Sequence, residues 1–194
     1  MTGKTEWPFL RDVIKDQAAG LQIAWAPNER ELEYTCGGQD VSKTRLIVFC
    51  SSVIVRSEIL SLLKRPAYNF HPGPPSYPGV HSANFAIYES ATRFGATAHV
   101  ITQDIDAGPI VGVDWFDVPE GIYSDRLEEL AYTSLFALFT NLAPLLVDID
   151  NELPVLTESW SGRRRTYADF QALSKSLPLL SDEERQLRDR VLGT

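Results

Sequence analysis

Short apolar runs alternate with amphipathic stretches along most of the chain. Residues 46–50 are a continuous apolar run, which is typical of a parallel strand buried on both faces. The same signal predicts four further strands, at residues 21–25, 67–71, 96–101 and 110–118. Strands that alternate with helices are typical of an α/β fold.

Helical spacing predicts the elements between these strands. Residues 7–18 have mixed helical spacing, whereas the polar residues 28–43 are interpreted as a loop or a poorly formed helix. Residues 57–64 form a predicted helix that stops before Pro66, because the residue before a proline avoids the helical backbone conformation.

Serine residues start two predicted helices in the second half of the chain. Ser82 caps a helix that runs to residue 89, and Ser124 caps the longest helix. Pro144 should kink or end that long helix, since proline lacks the backbone N–H that a helix interior uses.

The character of the sequence changes after residue 150. The remaining segment is polar, and it contains two short predicted helices that start at Thr166 and Ser181. Glu184 completes a capping box with Ser181. We therefore divide the chain into a domain of residues 1–150 and a small helical extension of residues 151–194.

Composition and charge narrow the function classes. The chain has 194 residues, of which 44% are hydrophobic and 23% charged, as in a globular protein with a substantial core. The net charge of −8 argues against nucleic acid or a membrane surface as a partner. Cys36 and Cys50 offer no disulfide framework, and the N-terminus has no apolar signal region, so we expect a cytoplasmic protein.

Asn69 and His71 are the first candidates for chemistry. They are two residues apart near the end of a predicted strand, so both side chains leave the same face. An amide beside an imidazole suits the polarisation of a carbonyl and the movement of a proton. Asp106 follows a later strand and precedes Gly-Pro, which favours it over its rival Asp104. The histidine spacing fits no HExxH-type motif, so no metal is expected.

An ordered set of motifs resembles the family of formyltransferases that use 10-formyltetrahydrofolate. The matching features are Asn69-x-His71, a proline loop that ends in Tyr77-x-Gly79, Gly95-x-Thr97-x-His99, and the final Ile105-Asp106-x-Gly108-Pro109-Ile110. The family includes phosphoribosylglycinamide formyltransferase, the catalytic domain of methionyl-tRNA formyltransferase and the sugar N-formyltransferases. The resemblance implies a Rossmann-like fold with a mostly parallel central sheet, here shortened at the N-terminus.

The resemblance also implies roles for individual residues. Asn69 would bind the formyl oxygen and the later oxyanion, His71 would move the proton, and Asp106 would orient His71 and raise its proton affinity. The donor would be 10-formyltetrahydrofolate, with no metal. Its pterin would bind in a slot formed mostly by the backbone of Ser52, Val53, Ile54, Val55, Ile101, Thr102, Gln103, Asp104 and Ile105.

The acceptor is predicted from the proline loop, the arginine run and the features that the chain lacks. We expect acceptor contacts from Pro74, Tyr77, Arg163, Arg164 and Arg165; the arginine run is either a solvated face or an anchor for an anion. The chain lacks the glycine-rich opening loop that is expected in phosphoribosylglycinamide formyltransferase. Residues 151–194 are far fewer than the tRNA-binding domain of methionyl-tRNA formyltransferase needs. A primary amine on a small molecule, with an amino sugar first, is therefore the predicted acceptor.

Two alternatives remain open at the level of sequence. The same three side chains could pass the formyl group to water, which would make the protein a 10-formyltetrahydrofolate hydrolase. The shortened N-terminal half could also leave a folate-binding protein with little or no turnover. A homodimer is a further open option.

Overall fold

The computed structural model describes residues 1–38, 40–178 and 181–194. This part of the chain forms seven helices and four strands. The helices are α1 (Trp7–Gln17), α2 (Glu29–Cys36), α3 (Ser57–Leu62), α4 (Ser82–Tyr88), α5 (Ser124–Val147), α6 (Tyr167–Ser176) and α7 (Asp182–Leu192). The strands are β1 (Ile47–Phe49), β2 (Tyr68–His71), β3 (Arg93–Val100) and β4 (Ile110–Asp117).

The strands form one mixed sheet in the order β1-β2-β3-β4. β1 and β2 are parallel, while β3 runs antiparallel to both of its neighbours. The α/β class is therefore confirmed, but the expectation of a mostly parallel sheet was wrong. An apolar run indicates that a strand is buried, but it does not indicate the direction of the strand. The connection between β3 and β4 has only nine residues, which suits neighbouring strands that run in opposite directions.

The strand predicted at residues 21–25 is absent, since residues 21–27 have no regular secondary structure. Leu21 and Ile23 instead pack against the main core, and Trp25 stacks on Trp7 of α1 with ring centroids 6.0 Å apart. Backbone pairing beside β1 comes from Met1, whose amino group donates to a carbonyl of that strand. The apolar alternation thus reflects packing without strand pairing.

Residues 28–43 are more ordered than the sequence suggests. Asn28 caps α2 by accepting a hydrogen bond from the backbone N–H of Glu31. Leu32 and Cys36 bury one face of this helix in a small cluster with β1 and α3. The polar composition of this segment gave no signal for its two-turn helix. Gln39 lies outside the described residues.

The helix caps differ from those predicted at α4 and α5. Ser82 and Ser124 are the first helical residues, and neither caps through its side chain. Ser82 donates to the carbonyl of Tyr77, and Ser124 accepts from Asn84, so both hydroxyls hold tertiary contacts. Helix α5 also continues through Pro144 to its last residue three positions later.

Helix α5 is the central helix of the molecule. By length and composition alone it could cross a membrane, but it packs on β3 and β4 and contacts α1, as the core helix of a globular protein does. Its buried residues are Ser124, Leu127, Ala131, Ser134, Leu135, Leu138, Phe139, Ala143 and Leu146.

The C-terminal segment packs on the same core. Capping boxes start α6 at Thr166 and α7 at Ser181, as the sequence predicts. Leu173 of α6 and the fully buried Val191 of α7 join a cluster that also contains Phe85 of α4. The division of the chain after residue 150 stays a prediction.

Candidate active site

Two neighbouring strands bring the polar side chains together. On β2, Asn69 lies directly opposite His99 of β3, and His71 lies opposite Thr97. Asn69 and His71 are two residues apart on β2, and Thr97 and His99 are two residues apart on β3. The four side chains therefore share one face of the antiparallel pair. Nδ2 of Asn69 lies 3.0 Å from Nε2 of His99.

His71 is buried, and each of its ring nitrogens faces a different oxygen. Nε2 lies 3.2 Å from the backbone carbonyl of Tyr77, and Nδ1 lies 3.7 Å from Oδ2 of Asp106. Because a carbonyl can only accept a hydrogen bond, Nε2 carries the proton and Nδ1 is left as the base. A Cβ on Gly73 would lie 2.5 Å from Nε2, so only glycine lets the proline loop support the ring this closely.

The groups around Asp106 favour its anionic form. Its Oδ2 accepts from the backbone N–H of Gly79 at 2.9 Å, and its Oδ1 lies 3.2 Å from Nε2 of His99. Burial alone would raise the pKa of Asp106, but His71, His99 and the Gly79 N–H together lower it to about 2. Its backbone has a φ of 48°, a left-handed conformation that aspartate tolerates better than most residues.

The pKa of His71 is lowered from the usual imidazole value. Burial is the largest cause, and it outweighs Asp106, which raises the pKa as the sequence analysis expects. The resting site therefore pairs a neutral imidazole with a carboxylate. A proton that arrives at Nδ1 would create an imidazolium next to that carboxylate.

A cavity of about 660 Å³ opens beside these side chains. Asn69, His71 and Asp106 line it, and Asp106 rather than the exposed Asp104 faces His71. All nine residues predicted for the pterin slot also line it: Ser52, Val53, Ile54, Val55, Ile101, Thr102, Gln103, Asp104 and Ile105. The side chains of Ile54 and Ile105 are 61% and 40% exposed, so the cavity has uncovered apolar walls.

Three of the five predicted acceptor contacts lie away from the cavity lining. Pro74 is fully buried, and the Tyr77 ring packs 6.0 Å from Phe94, where burial and Glu89 raise its pKa to about 12. Arg163 is exposed and pairs with Asp169 at 2.8 Å. The proline loop and the first arginine were assigned from sequence position alone, which does not say which way a side chain points.

The other two arginines do line the cavity. Arg165 is occupied, because it pairs with Glu89 and lies over the Phe85 ring, 4.4 Å from its centroid. Arg164 is exposed and has no ion-pair partner within the described part of the chain. It is therefore the arginine of the run that is available to an anion.

Sequence reasoning missed three residues of the site. His99 belongs to a matched motif but is not among the predicted site residues, and it contacts both Asn69 and Asp106; its two-residue spacing from Thr97, like that of Asn69 from His71, is the available signal. Tyr167 lines the cavity with 63% of its surface exposed. Trp160 packs edge-on against His99, and no local sequence signal points to that contact.

Across the described ranges, no set of three histidine, cysteine, aspartate or glutamate side chains is arranged to hold a metal ion. Nδ1 of His99 faces the carbonyl of Val100 at 3.0 Å, and Nε2 of His71 faces that of Tyr77. Both histidines are thus committed to hydrogen bonds within the protein. The absence of a metal stays a prediction.

Sequence comparison places the chain in a family. The sequence profile described as Formyl transferase matches residues 30–132, just over half of the chain. The chain belongs to the formyl transferase family. The match includes Asn69, His71 and Asp106 and the residues predicted for the pterin slot, while the arginine run lies outside it.

Solved structures share the fold of this formyltransferase at low sequence identity. A sugar N-formyltransferase from a Shewanella species superposes with a TM-score of 0.77 at 17% identity, covering 98% of this chain and 85% of the other. A 4-N formyltransferase from Francisella tularensis gives 0.68 at 17% identity, covering 98% and 74%. An N-formyltransferase from Helicobacter canadensis, in complex with folinic acid and dTDP-3-aminofucose, gives 0.52 at 20% identity, covering 64% and 46%. A comparison with curated protein sequences finds no match.

Proposed function

We propose that this formyltransferase moves a formyl group from 10-formyltetrahydrofolate to the primary amine of a phosphorylated or nucleotide-linked amino sugar. The observation that carries the proposal is the single cavity shared by Asn69, His71 and Asp106, by the slot residues and by Arg164. One space thus joins groups suited to acyl transfer, an apolar slot for a pterin and a cation for an anionic acceptor.

The side chains have distinct roles in the proposed reaction. One N–H of the Asn69 amide faces His99, and the other is available to the formyl oxygen and to the oxyanion that develops on it. The amine attacks the formyl carbon, and Nδ1 of His71 takes the amine proton. Asp106 stabilises the imidazolium, which then returns the proton to the folate nitrogen as the carbon–nitrogen bond breaks.

The donor slot is supported by its shape and its walls. The exposed Ile54 and Ile105 side chains lie in two segments that line the same cavity as the catalytic side chains. A flat pterin between them would bury both side chains and present its edge to the backbone. The Helicobacter canadensis enzyme of this fold binds folinic acid, a reduced folate.

The acceptor end is supported by charge and by aromatic surface. Arg164 lines the cavity with a guanidinium that has no ion-pair partner among the described residues, and the exposed Tyr167 ring stands edge-on to His81, with centroids 5.3 Å apart. A guanidinium binds phosphate oxygens in a bidentate manner, and an exposed ring can pack against a base or a sugar. The Helicobacter canadensis enzyme is in complex with dTDP-3-aminofucose, which is a nucleotide-linked amino sugar.

The direct test uses the purified protein, 10-formyltetrahydrofolate and a panel of amino-sugar nucleotides, with amino acids and unphosphorylated amino sugars for comparison. We expect tetrahydrofolate to appear together with a formylated sugar nucleotide in the mass spectrum. Release of formate without any acceptor would favour a hydrolase. Folinic acid binding without turnover on any amine would favour a binding protein.

The arginine run provides a matched pair of variants for the acceptor. Arg164→Gln should raise the KM for the sugar nucleotide by about tenfold or more, because it removes a charge-assisted contact to phosphate. Arg163→Gln changes the adjacent arginine, which pairs with Asp169 on the surface, and should leave that KM within about twofold. Equal effects of the two changes would remove Arg164 from the acceptor site.

A further inference from the structure

The C-terminal segment crosses the proline loop that follows β2. We define residues 158–166 as the C-terminal strap. Arg165 forms a parallel bridge with Gly79, its carbonyl accepts from Val80 at 3.1 Å, and its N–H donates to Pro78 at 2.9 Å. Ser161 donates to the carbonyl of Pro75 at 3.1 Å. Residues near both ends of the strap therefore hold the proline loop in place.

Trp160 is the strap residue that reaches the polar side chains. Its indole N–H donates to the carbonyl of Gly108 at 2.8 Å, two residues after Asp106. Its ring stands edge-on to His99 and His71, with centroids 5.1 and 6.2 Å apart. One side chain from the C-terminal segment thus contacts two imidazoles and the segment that carries the carboxylate.

We propose that Trp160 is a positioning residue of this formyltransferase. Its indole N–H acts on the folate slot through Gly108, and its ring acts on His71 and Asp106, the pair that handles the proton. The proposal rests on the function proposed above for the folate slot and for turnover, whereas the effect on His71 concerns the free protein alone.

The first effect comes from the indole N–H. Residues 101–105 form one wall of the folate slot, and they lead into Asp106 and Gly108. The hydrogen bond from Trp160 holds the far end of this segment. Without it, the segment has more freedom, and a ligand must pay an additional ordering cost when it binds.

The second effect comes from the indole ring. The groups that face His71 are Asp106, His99 and the carbonyl of Tyr77, and the Trp160 ring covers the imidazole from another side. Burial is the largest cause of the lowered pKa of His71. Loss of the ring admits water, so the pKa of His71 should rise toward the ordinary imidazole value.

Two substitutions separate these effects. Trp160→Phe keeps an aromatic ring and removes the N–H, whereas Trp160→Ala removes both. Trp115→Phe is the matched control, because the Trp115 indole also donates to the strap, at Glu158, but on the exposed surface. The readouts are the affinity for folinic acid by calorimetry and the titration of His71 by NMR in the free protein, and neither needs an acceptor.

We expect Trp160→Phe to weaken folinic acid binding roughly tenfold while leaving the His71 titration in place. Trp160→Ala should weaken binding at least as much and shift the titration upward by about half a unit or more. Trp115→Phe should change neither. Unchanged folinic acid affinity in Trp160→Phe would overturn the proposal, and that variant decides the matter even if the alanine variant does not fold.

Neither readout depends on the acceptor. If the wild type formylates no amine, the two readouts still report whether Trp160 positions the site. If the wild type is active, Trp160→Phe should raise the KM for the folate donor more than it lowers kcat. A merely structural residue would lower the unfolding temperature and leave the His71 titration and the folate affinity unchanged.

Discussion

His71 shows how one residue combines conflicting environments. The carbonyl of Tyr77 fixes the tautomer, Asp106 favours a proton on the ring, and burial opposes it. The result is a neutral imidazole whose Nδ1 lies 3.7 Å from Oδ2 of Asp106. In the proposed reaction, this carboxylate would stabilise the positive charge that the ring gains when it takes a proton. An imidazole that was already protonated could not accept the amine proton.

The first prediction at the residue scale concerns turnover. Asn69→Ala and His71→Ala should each lower kcat by roughly a hundredfold or more, because each removes a group that acts mainly in the transition state. Folinic acid affinity should stay within about tenfold, since the slot is formed by other residues. Asp106→Asn should reduce kcat far more than Asp104→Asn; the reverse order would exchange the two carboxylates in the assignment.

The second prediction concerns stability and pH. The lowered pKa of His71 means that the unfolded chain binds a proton more readily than the folded chain. The free energy of unfolding should therefore fall as the pH drops through the ordinary imidazole value of about 6.5. Urea unfolding from pH ~7.5 to ~5.5 should show a smaller fall in His71→Asn. If the wild type gained stability over this range relative to that variant, the attraction of Asp106 would outweigh burial.

At the scale of elements, Arg45 closes the C-terminal end of α5. Its guanidinium donates to the carbonyls of Leu145, Leu146 and Asp148, at 3.0, 2.8 and 3.0 Å. The last carbonyls of a helix have no partner within the helix, and α5 ends without a glycine cap. Arg45, two residues before β1, thus substitutes for a cap and ties the central helix to the edge of the sheet.

Arg45→Met should therefore lower the free energy of unfolding by about 2–3 kcal/mol, as expected for lost hydrogen bonds to a charged donor. Arg65→Met is the control, since Arg65 pairs with Asp150, whose side chain is 81% exposed, and should cost less than about 1 kcal/mol. Chemical unfolding of the two variants measures the difference. Similar losses would mean that the carbonyls of α5 are satisfied by water without Arg45.

The same scale explains what the sequence could predict. The strands at β2, β3 and β4 and the capping boxes of α6 and α7 are local, so their residues carry the signal. Asn69, His71 and Asp106 were found because turn residues and motif spacing mark them. The side chain of Trp160, by contrast, contacts Gly108, His99 and His71, which are all more than fifty residues away in sequence. Such long-range geometry leaves no periodic pattern to read.

At the scale of the whole molecule, the C-terminal segment packs against α4, α5 and the histidines of the candidate site. Val191 of α7 is fully buried in the cluster of Phe85 and Leu127, and its carbonyl accepts from Asn84 at 2.7 Å. Trp160 contacts the imidazoles from the same segment. A helical extension that folded on its own would need a separate core, whereas these contacts join it to α4 and α5.

We therefore expect the molecule to unfold in one cooperative transition, which folinic acid raises as a whole. Val191→Ala should lower that transition and cost about 1.5–3 kcal/mol, because it leaves a cavity in a fully buried position. Gln186→Ala, on the exposed side of the same helix, should change stability by less than about 0.5 kcal/mol. Calorimetry and far-ultraviolet circular dichroism measure both. Two separate transitions, with only one raised by folinic acid and the other lowered by Val191→Ala, would instead support an independent unit after residue 150.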